Sequence, residues 1–464
     1  MADLQVTTLR GPDTVLEEAT VAAFKQSLRG QLITPSDERY AEARQVWNGN
    51  IDRRPGLICY PAGVADVIRA VNFAREHHLL MAVRGGAHNV AGTSVCHGGL
   101  VIDLSRMQGI RVDPVRRTVR AEGSVKWGAF DRETQAFGLA TTGGTIADTG
   151  IAGLTLGGGH GWLGYKYGLA ADNLISVDLV TADGTLRIAS DTEHPDLFWG
   201  VRGGGGNFGV VTSFEYRLHP VGPVLAGVVV HPFAKAKAVL QFYRDFSSAT
   251  HEALTTYAVP MTSPDGIKVV AIAVCYDGPR EEGERLIALV RQFGPPLEDQ
   301  IRPRAYTELQ SMLDAAYPPG HQYYFKAHFL REIHDDAINI LVDHFACVPS
   351  PLSMLFFQQT GGAMQRGHTA YAHRDALYNL LLLAQWLDPG ESAIHVRWTR
   401  ELWQALRPYA TGGVYVNDIG QEGDEGAEQI RAAYGAHYQR LAELKQKYDP
   451  KNLFRHNQNI KPTV

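Results

Sequence analysis

The stretch "MAVRGGAHNVAGTSV", residues 81–95, decides how the rest of the chain is read. A short apolar run, strand-like in composition, ends in Arg84-Gly85-Gly86, and His88 follows among small residues with no second metal-ligating side chain beside it. Glycine is costly in chain entropy and is used where backbone must bend sharply or approach something closely. Turns of this kind present backbone N–H groups without Cβ obstruction, which suits a pyrophosphate. Glycine is dense again at 143–168, "GGTIADTGIAGLTLGGGHGWLGYKYG", and at 203–209, "GGGGNFG". Neither a G-x-G-x-x-G turn opening a helix after a first strand nor a G-x-x-x-x-G-K-[ST] loop occurs, so the expected dinucleotide site is not of the Rossmann or P-loop kind.

Outward from that stretch, residues 56–219 alternate short strand-like runs with helical ones, among them "GLICY", "GVADVIRAVNFAREHH", "GLVIDLS" and "TVRAEGS". The character changes at Pro220–Pro223. Beyond it come the strands "VLAGVVVHP", "IKVVAIAVCY" and "LSMLFFQQTGG", with helices expected over "EEGERLIALVRQF" and "RDALYNLLLLAQW". This reads as an antiparallel sheet covered on one side by helices. The tail is expected to be a helix ended by Asp449-Pro450, followed by an extended polar segment in which Asn457 and Asn459 look dedicated to contacts.

At 464 residues the chain is too long for one ordinary core. Its 44 basic and 49 acidic side chains give a formal net charge of -5, which argues against nucleic acid or an anionic membrane as partner. The four cysteines show no C-x-x-C spacing, and no histidine pair has ligand spacing, so no metal is expected. No signal peptide is seen at the start, which makes the cytoplasm the expected compartment.

Five ordered motifs carry a resemblance over nearly the whole chain from residue 56: "RGGAHNVAG", "GGLVIDLSRM", "GTIADTGIAGLTLGGGHGWLGYKYGLAADN", "DLFWGVRGGGGNFGVVTSFEYRLHPV" and "YDPKNLFRHNQNIKP". The chain closely resembles FAD-linked oxidases of the vanillyl-alcohol oxidase type, and within them the berberine-bridge-enzyme-like and 6-hydroxynicotine-oxidase-like branch. The resemblance implies an α+β fold: a two-subdomain PCMH-type FAD-binding domain over residues 1–220, with its core at about 52–220, a substrate domain over 221–415 whose antiparallel sheet is covered by helices, and a segment at 416–464 that returns to the FAD domain.

It also implies FAD carried covalently on His88 through the flavin 8α-methyl group. Alkylation of the ring raises the flavin's reduction potential. A second link, from a cysteine in G-x-C-x-x-x-G-x-x-G, is not expected, because Ile146 stands at that position and Cys96 lies where the pattern places no linking cysteine. Carried over residue by residue, the flavin contacts are Arg84, Gly85, Gly86, Ala87, Asn89, Asp103 and Ser105. The second glycine stretch adds Gly143, Gly144, Thr145, Thr149, Gly150, Gly153, Gly158, Gly159, His160 and Gly161. Val210 and Val211 match the strand beside the adenine, and Asn417, Asn457 and Asn459 complete the expected contacts.

The reaction centre departs from the family pattern. The strand "LSMLFFQQTGG" delivers an acidic residue in relatives, and here that position is Gln358, which cannot serve as a general base. Alternation puts Phe356 on its face and Phe357 and Gln359 on the other. The motif Y-x-N-[YF] matches "YVND", which keeps Tyr415 and Asn417 and replaces the second aromatic by Asp418; an aspartate there either takes a proton or is a solvated turn residue. Tyr323, Tyr324 and Lys326 occupy a strand that borders the substrate site in relatives, where lysine can stabilise an anionic reduced flavin. His373 is expected to cap or orient a following helix.

The implied activity is oxidation of a C–OH or C–N bond of a small organic substrate by hydride transfer to FAD, with O2 reoxidising the flavin to give H2O2. A flavin dehydrogenase with another acceptor, an oligosaccharide oxidase, and a carrier flavoprotein without turnover are the alternatives.

Overall fold

Residues 31–103 build a four-stranded sheet in the order Gln31–Ile33, Leu57–Tyr60, Leu100–Asp103, Met81–Arg84. The last three strands run parallel, as apolar runs buried on both faces should. The helix Val64–Glu76 makes the crossover, and it buries Val67, Ala70, Val71 and Ala74, the 3–4 spacing of one helical face. These observations come from a computed structural model that describes residues 3–9, 11–249, 251–420 and 426–463.

A second sheet of five antiparallel strands follows, ordered Leu186–Ser190, Leu174–Val180, Val210–Arg217, Thr118–Glu122, Ile110–Asp113. The third and largest has eight strands, all antiparallel. Its central strands are Lys268–Tyr276, Leu254–Thr262, Met354–Gln359 and Tyr378–Trp386, with Gln322–Leu330 at one edge. One face of it is covered by the helices Ala236–Ser248, Arg280–Gln292, Asp335–Phe345 and Ser392–Leu406. The other face turns toward the first two sheets: Tyr257, Phe356, Leu381 and Leu383 share a core with Trp127 and Trp162, whereas Leu355, Phe357, Leu380 and Leu382 share one with the helices. The fold is therefore the mixed α+β arrangement expected, and the alternation along Met354–Gln359 is as read.

Two expectations need correction. The run "RDALYNLLLLAQW" is not a helix: Tyr378–Trp386 is a strand, paired on one side with Met354–Gln359 and on the other with Gln322–Leu330. All nine of its residues are buried. A strand buried on both faces reads as a continuous apolar run, which periodicity cannot tell from a buried helix, and sheet pairing overrides leucine's helical preference. His373 accordingly caps no helix; its Nε2 lies 2.7 Å from the Ala432 carbonyl oxygen and ties its loop to the C-terminal helices. The tail is also two helices, Gly426–Tyr434 and Tyr438–Tyr448, separated at Gly435, whose φ is +47°.

The second of these helices ends where Asp449-Pro450 predicts. Lys445 and Asp449, both wholly buried, form an ion pair at 2.7 Å, and the Lys445 ammonium also donates to the carbonyls of Asn207 and Phe454. This clamp joins the 203–209 glycine loop to the tail, whose Leu453 and Phe454 enter the core of the first sheet. Among the described residues no helix is long and apolar enough to cross a membrane.

Candidate functional site

A cavity of about 310 Å³ lies where the three sheets meet. Its walls come from the turn after Met81–Arg84, the second glycine stretch, residues 205–209, the tail and the inner face of the large sheet.

Gly85, Gly86, Ala87, His88 and Asn89 line it, as do Gly144, Thr145, Ile146, Thr149, Gly150 and Gly153. Two of these glycines are required by close approach. A Cβ on Gly86 would stand 2.5 Å from the Gly150 backbone, and one on Gly150 would stand 2.6 Å from the Gly86 nitrogen. The two loops thus touch backbone to backbone. Gly153 and Gly206 line the cavity too, and a Cβ on either would meet only open space, so both leave bare peptide facing the ligand site.

Several residues expected at the flavin stand behind this wall instead. Arg84 is buried against Asp103 at 3.1 Å and donates to the Ala43 carbonyl. Strand alternation sends it to the face opposite Val83, which does line the cavity. Asp103 also accepts from the Ser105 N–H, so Arg84, Asp103 and Ser105 brace the turn from the rear. Gly143 packs on the Trp127 ring, Gly158 on the Tyr371 ring, Gly161 on the Gly143 carbonyl, and Gly159 on Ala170 with φ +90°. These four shape the loop rather than the cavity surface. Val211 lines the cavity, while Val210 points into the core of the first sheet. Asn457 lines it and donates to the Gly206 and Phe454 carbonyls; Asn459 lies outside the lining, its Oδ1 buried without a partner among the described residues.

His88 stacks on Trp47 at 4.1 Å, and Trp47 stacks in turn on Tyr323 at 3.8 Å. Burial pushes the His88 pKa down to about 4, so the imidazole is neutral near pH 7. Its Nε2 is buried with no hydrogen-bond partner among the described residues. Tyr323 is the far end of this column; its hydroxyl donates to the Pro318 carbonyl and it does not reach the cavity. Cys96 is also off the cavity, with burial pushing its thiol up to about 12.

At the reacting end, the Tyr415 hydroxyl accepts from the Gly159 N–H at 2.9 Å and from Asn417 Nδ2 at 2.8 Å. Its ring lies flat on His160 at 4.1 Å. His160 Nε2 is 2.9 Å from the Tyr371 hydroxyl, and burial pushes its pKa down to about 3, against a raising influence of the neighbouring Gln358 amide. Asn417 also donates to the Leu154 carbonyl. Asp418 is buried rather than solvated, and burial pushes its carboxyl up to about 7, with a lowering contribution from Asn379, whose Nδ2 donates to it at 2.8 Å. Gln358, Asp418, Tyr415, Asn417 and His160 all line the cavity, together with Tyr257 and Phe325.

Lys326 does not join them. It lies on the helix-covered face of its strand, its ammonium 4.3 Å from the Trp403 ring centre, and Tyr324 shares that face, accepting from Arg400. Alternation presents Phe325 to the cavity instead. Among the described lining residues there is no lysine or arginine, and Asp418 is the sole carboxylate. Trp47, Tyr257, Phe325, Tyr371 and Asn379 were not anticipated. Asn379 alone carried a signal, as the single polar residue within "YNLLLLA".

Bare peptide, a neutral buried imidazole and an apolar chamber ending in one carboxyl suit a flavin dinucleotide. The comparisons agree. Residues 55–190 match the family described as "FAD binding domain", and residues 415–461 match "Berberine and berberine like". The chain is 34% identical over 448 residues to an FAD-linked oxidoreductase of Dictyostelium discoideum, covering 95% of this chain and 97% of that one. It is 33% identical to the (R)-6-hydroxynicotine oxidase of Paenarthrobacter nicotinovorans, covering 94% and 97%. The solved 6-hydroxy-D-nicotine oxidase of Arthrobacter nicotinovorans superimposes with a TM-score of 0.87 at 32% identity, over 94% of this chain and 99% of that one. A chitooligosaccharide oxidase, at 23% identity and a TM-score of 0.86, shares the fold. The chain belongs to the FAD-linked oxidoreductases of the berberine-bridge-enzyme-like family, with a PCMH-type FAD-binding fold.

Proposed function

We propose that this enzyme is an oxidase that removes a hydride from a C–OH or C–N bond of a small organic molecule, and that its FAD is attached through His88 alone. The observation that carries the reading is Asp418: a buried carboxyl raised to about 7, the sole acid among the described residues of a cavity that His88 also lines. When bound, FAD supplies the hydride acceptor and passes the electrons to O2, giving H2O2. Asp418 takes the hydroxyl or amine proton; a base whose pKa lies near the working pH is well placed for this. Tyr415 and His160, stacked and neutral, form one wall, and Tyr257 and Phe325 the apolar remainder.

A neutral His88 with a free Nε2 supports the histidyl link, since an unprotonated imidazole is nucleophilic toward an electron-poor methyl group. Ile146 on the cavity wall supplies no thiol for a second one. In this reading residues 1–220 and 416–464 hold the cofactor and residues 221–415 frame the substrate.

The test is a panel of benzylic and aliphatic alcohols and amines, scored in parallel for peroxide release and for anaerobic reduction of an artificial dye. Peroxide from wild type, lost in Asp418→Asn, is expected. Dye reduction without peroxide would make the enzyme a dehydrogenase, and a flavin that stays oxidised with every compound would leave a carrier.

A further inference from the structure

We propose that Asn379 is a positioning residue that sorts Gln358 and Asp418 into a hydrogen-bond donor and an acceptor, so that the site selects neutral α-hydroxy or α-amino carbonyl compounds. The inference rests on the oxidase reading above and adds the substrate class to it.

Asn379 sits directly across the sheet from Gln358, in register between Met354–Gln359 and Tyr378–Trp386. Its Nδ2 donates to Gln358 Oε1 and to Asp418 Oδ2, each at 2.8 Å. An amide NH2 has two hydrogens, and both are used. Its own Oδ1 is buried without a partner among the described residues, so the whole group is committed through its donor side. The consequence for Gln358 is steric. With Oε1 turned to Asn379, its NH2 turns the other way, toward the cavity that Gln358 and its neighbour His160 both line. Asp418 likewise receives Asn379 on one oxygen and keeps the other for the cavity. A donor and an acceptor therefore stand side by side, bridged by one amide.

The groups facing Asp418 are Tyr415 on its own segment, Tyr371, and Asn379 from the sheet, while His160 and Gln358 line the same cavity. Among the described residues no lysine or arginine lines the cavity, and Lys326 lies on the opposite face of its strand. A substrate O–H or N–H on the reacting carbon is then received by Asp418, and a lone pair on the neighbouring carbonyl oxygen by the Gln358 NH2. A carboxylate in place of that carbonyl would meet Asp418 with no cation to offset it, which disfavours hydroxy acids and amino acids.

The experiment titrates flavin-loaded enzyme anaerobically with 2-hydroxyacetophenone and with 2-phenylethanol, which lacks the carbonyl, following the flavin absorbance. The ketone should bind at least about tenfold more tightly, the worth of one hydrogen bond to a buried group. That preference should vanish in Gln358→Leu and in Asn379→Leu. A structural role for Asn379 is separated by infrared titration of the Asp418 carboxyl band, identified by its loss in Asp418→Asn. Its midpoint should move to higher pH in Asn379→Leu and stay in place in Gln358→Leu.

Equal affinity for the two probes in wild type, or an unmoved midpoint in a flavin-loaded Asn379→Leu, would overturn the proposal. Should Asn379→Leu fail to fold, the probe preference in wild type and its loss in Gln358→Leu still decide it. A flavin that binds the ketone preferentially yet is never reduced would sink the oxidase reading and leave the recognition inference standing.

Discussion

Asp418 shows how one residue's surroundings set its chemistry. In a solvated turn its carboxyl would titrate near 3.8, whereas burial raises it to about 7. In the base role proposed for it Asp418 works when ionised, so the rate of flavin reduction should rise as pH passes upward through about 7. Stability runs the other way: a raised folded pKa contributes stability that is fully present below the unfolded value and is lost as pH rises through the folded one. Asp418→Asn should therefore slow reduction by roughly 10²- to 10⁴-fold. At pH 8 it should also unfold at a higher temperature than wild type, by up to about 4 kcal/mol in free energy, with no gain near pH 4. Thermal melts at the two pH values check this, and a gain independent of pH would contradict it. At this scale the motif residues His88, Tyr415 and Asn417 were legible, because each belongs to a short ordered pattern. Trp47 was not, since nothing within its own stretch marks a ring that will support a histidine 41 residues away.

Elements succeed or fail as readings according to how much of their signal is local. The helix Val64–Glu76 and the strands of the first sheet announce themselves by period and by flanking turns. The strand Tyr378–Trp386 does not, because it is buried on both faces and only its partners in the sheet make it extended. That misreading concealed Asn379, whose inward face exists only in the strand conformation. Lys326 was misplaced for the complementary reason: the strand was identified, but which of its faces meets the cavity depends on the whole sheet.

Loop contacts are sharper. Gly150→Ala places a methyl group 2.6 Å from the Gly86 backbone, so the loops must part. We expect about 1–3 kcal/mol of lost stability and a flavin content well below wild type, read from the ratio of flavin to protein absorbance. Full flavin content would show that the two loops separate freely.

For the molecule as a whole, a buried ion pair anchors the start of the tail and also grips the loop at 203–209, where Asn457 and Ile460 add hydrogen bonds. Burial lowers the Lys445 pKa to about 8, and removing the lysine leaves the buried Asp449 carboxylate without its counter-charge, held by the Leu453 and Phe454 N–H groups. Lys445→Met should cost about 3–5 kcal/mol. Adding Asp449→Asn should recover part of that loss, which denaturant unfolding of the single and double variants will show. A double variant no better than the single would mean that the lysine acts through its carbonyl contacts alone. The motifs legible in sequence, spread from residue 84 to the tail, converge on one cavity only because three sheets bring them together.

The most direct measurement is acid denaturation of purified wild type and His88→Ala, followed by asking whether flavin fluorescence travels with the polypeptide. Flavin should remain bound to wild type and be released from His88→Ala. Flavin retained by the variant would reveal another linking residue, and flavin released from wild type would contradict the histidyl attachment outright.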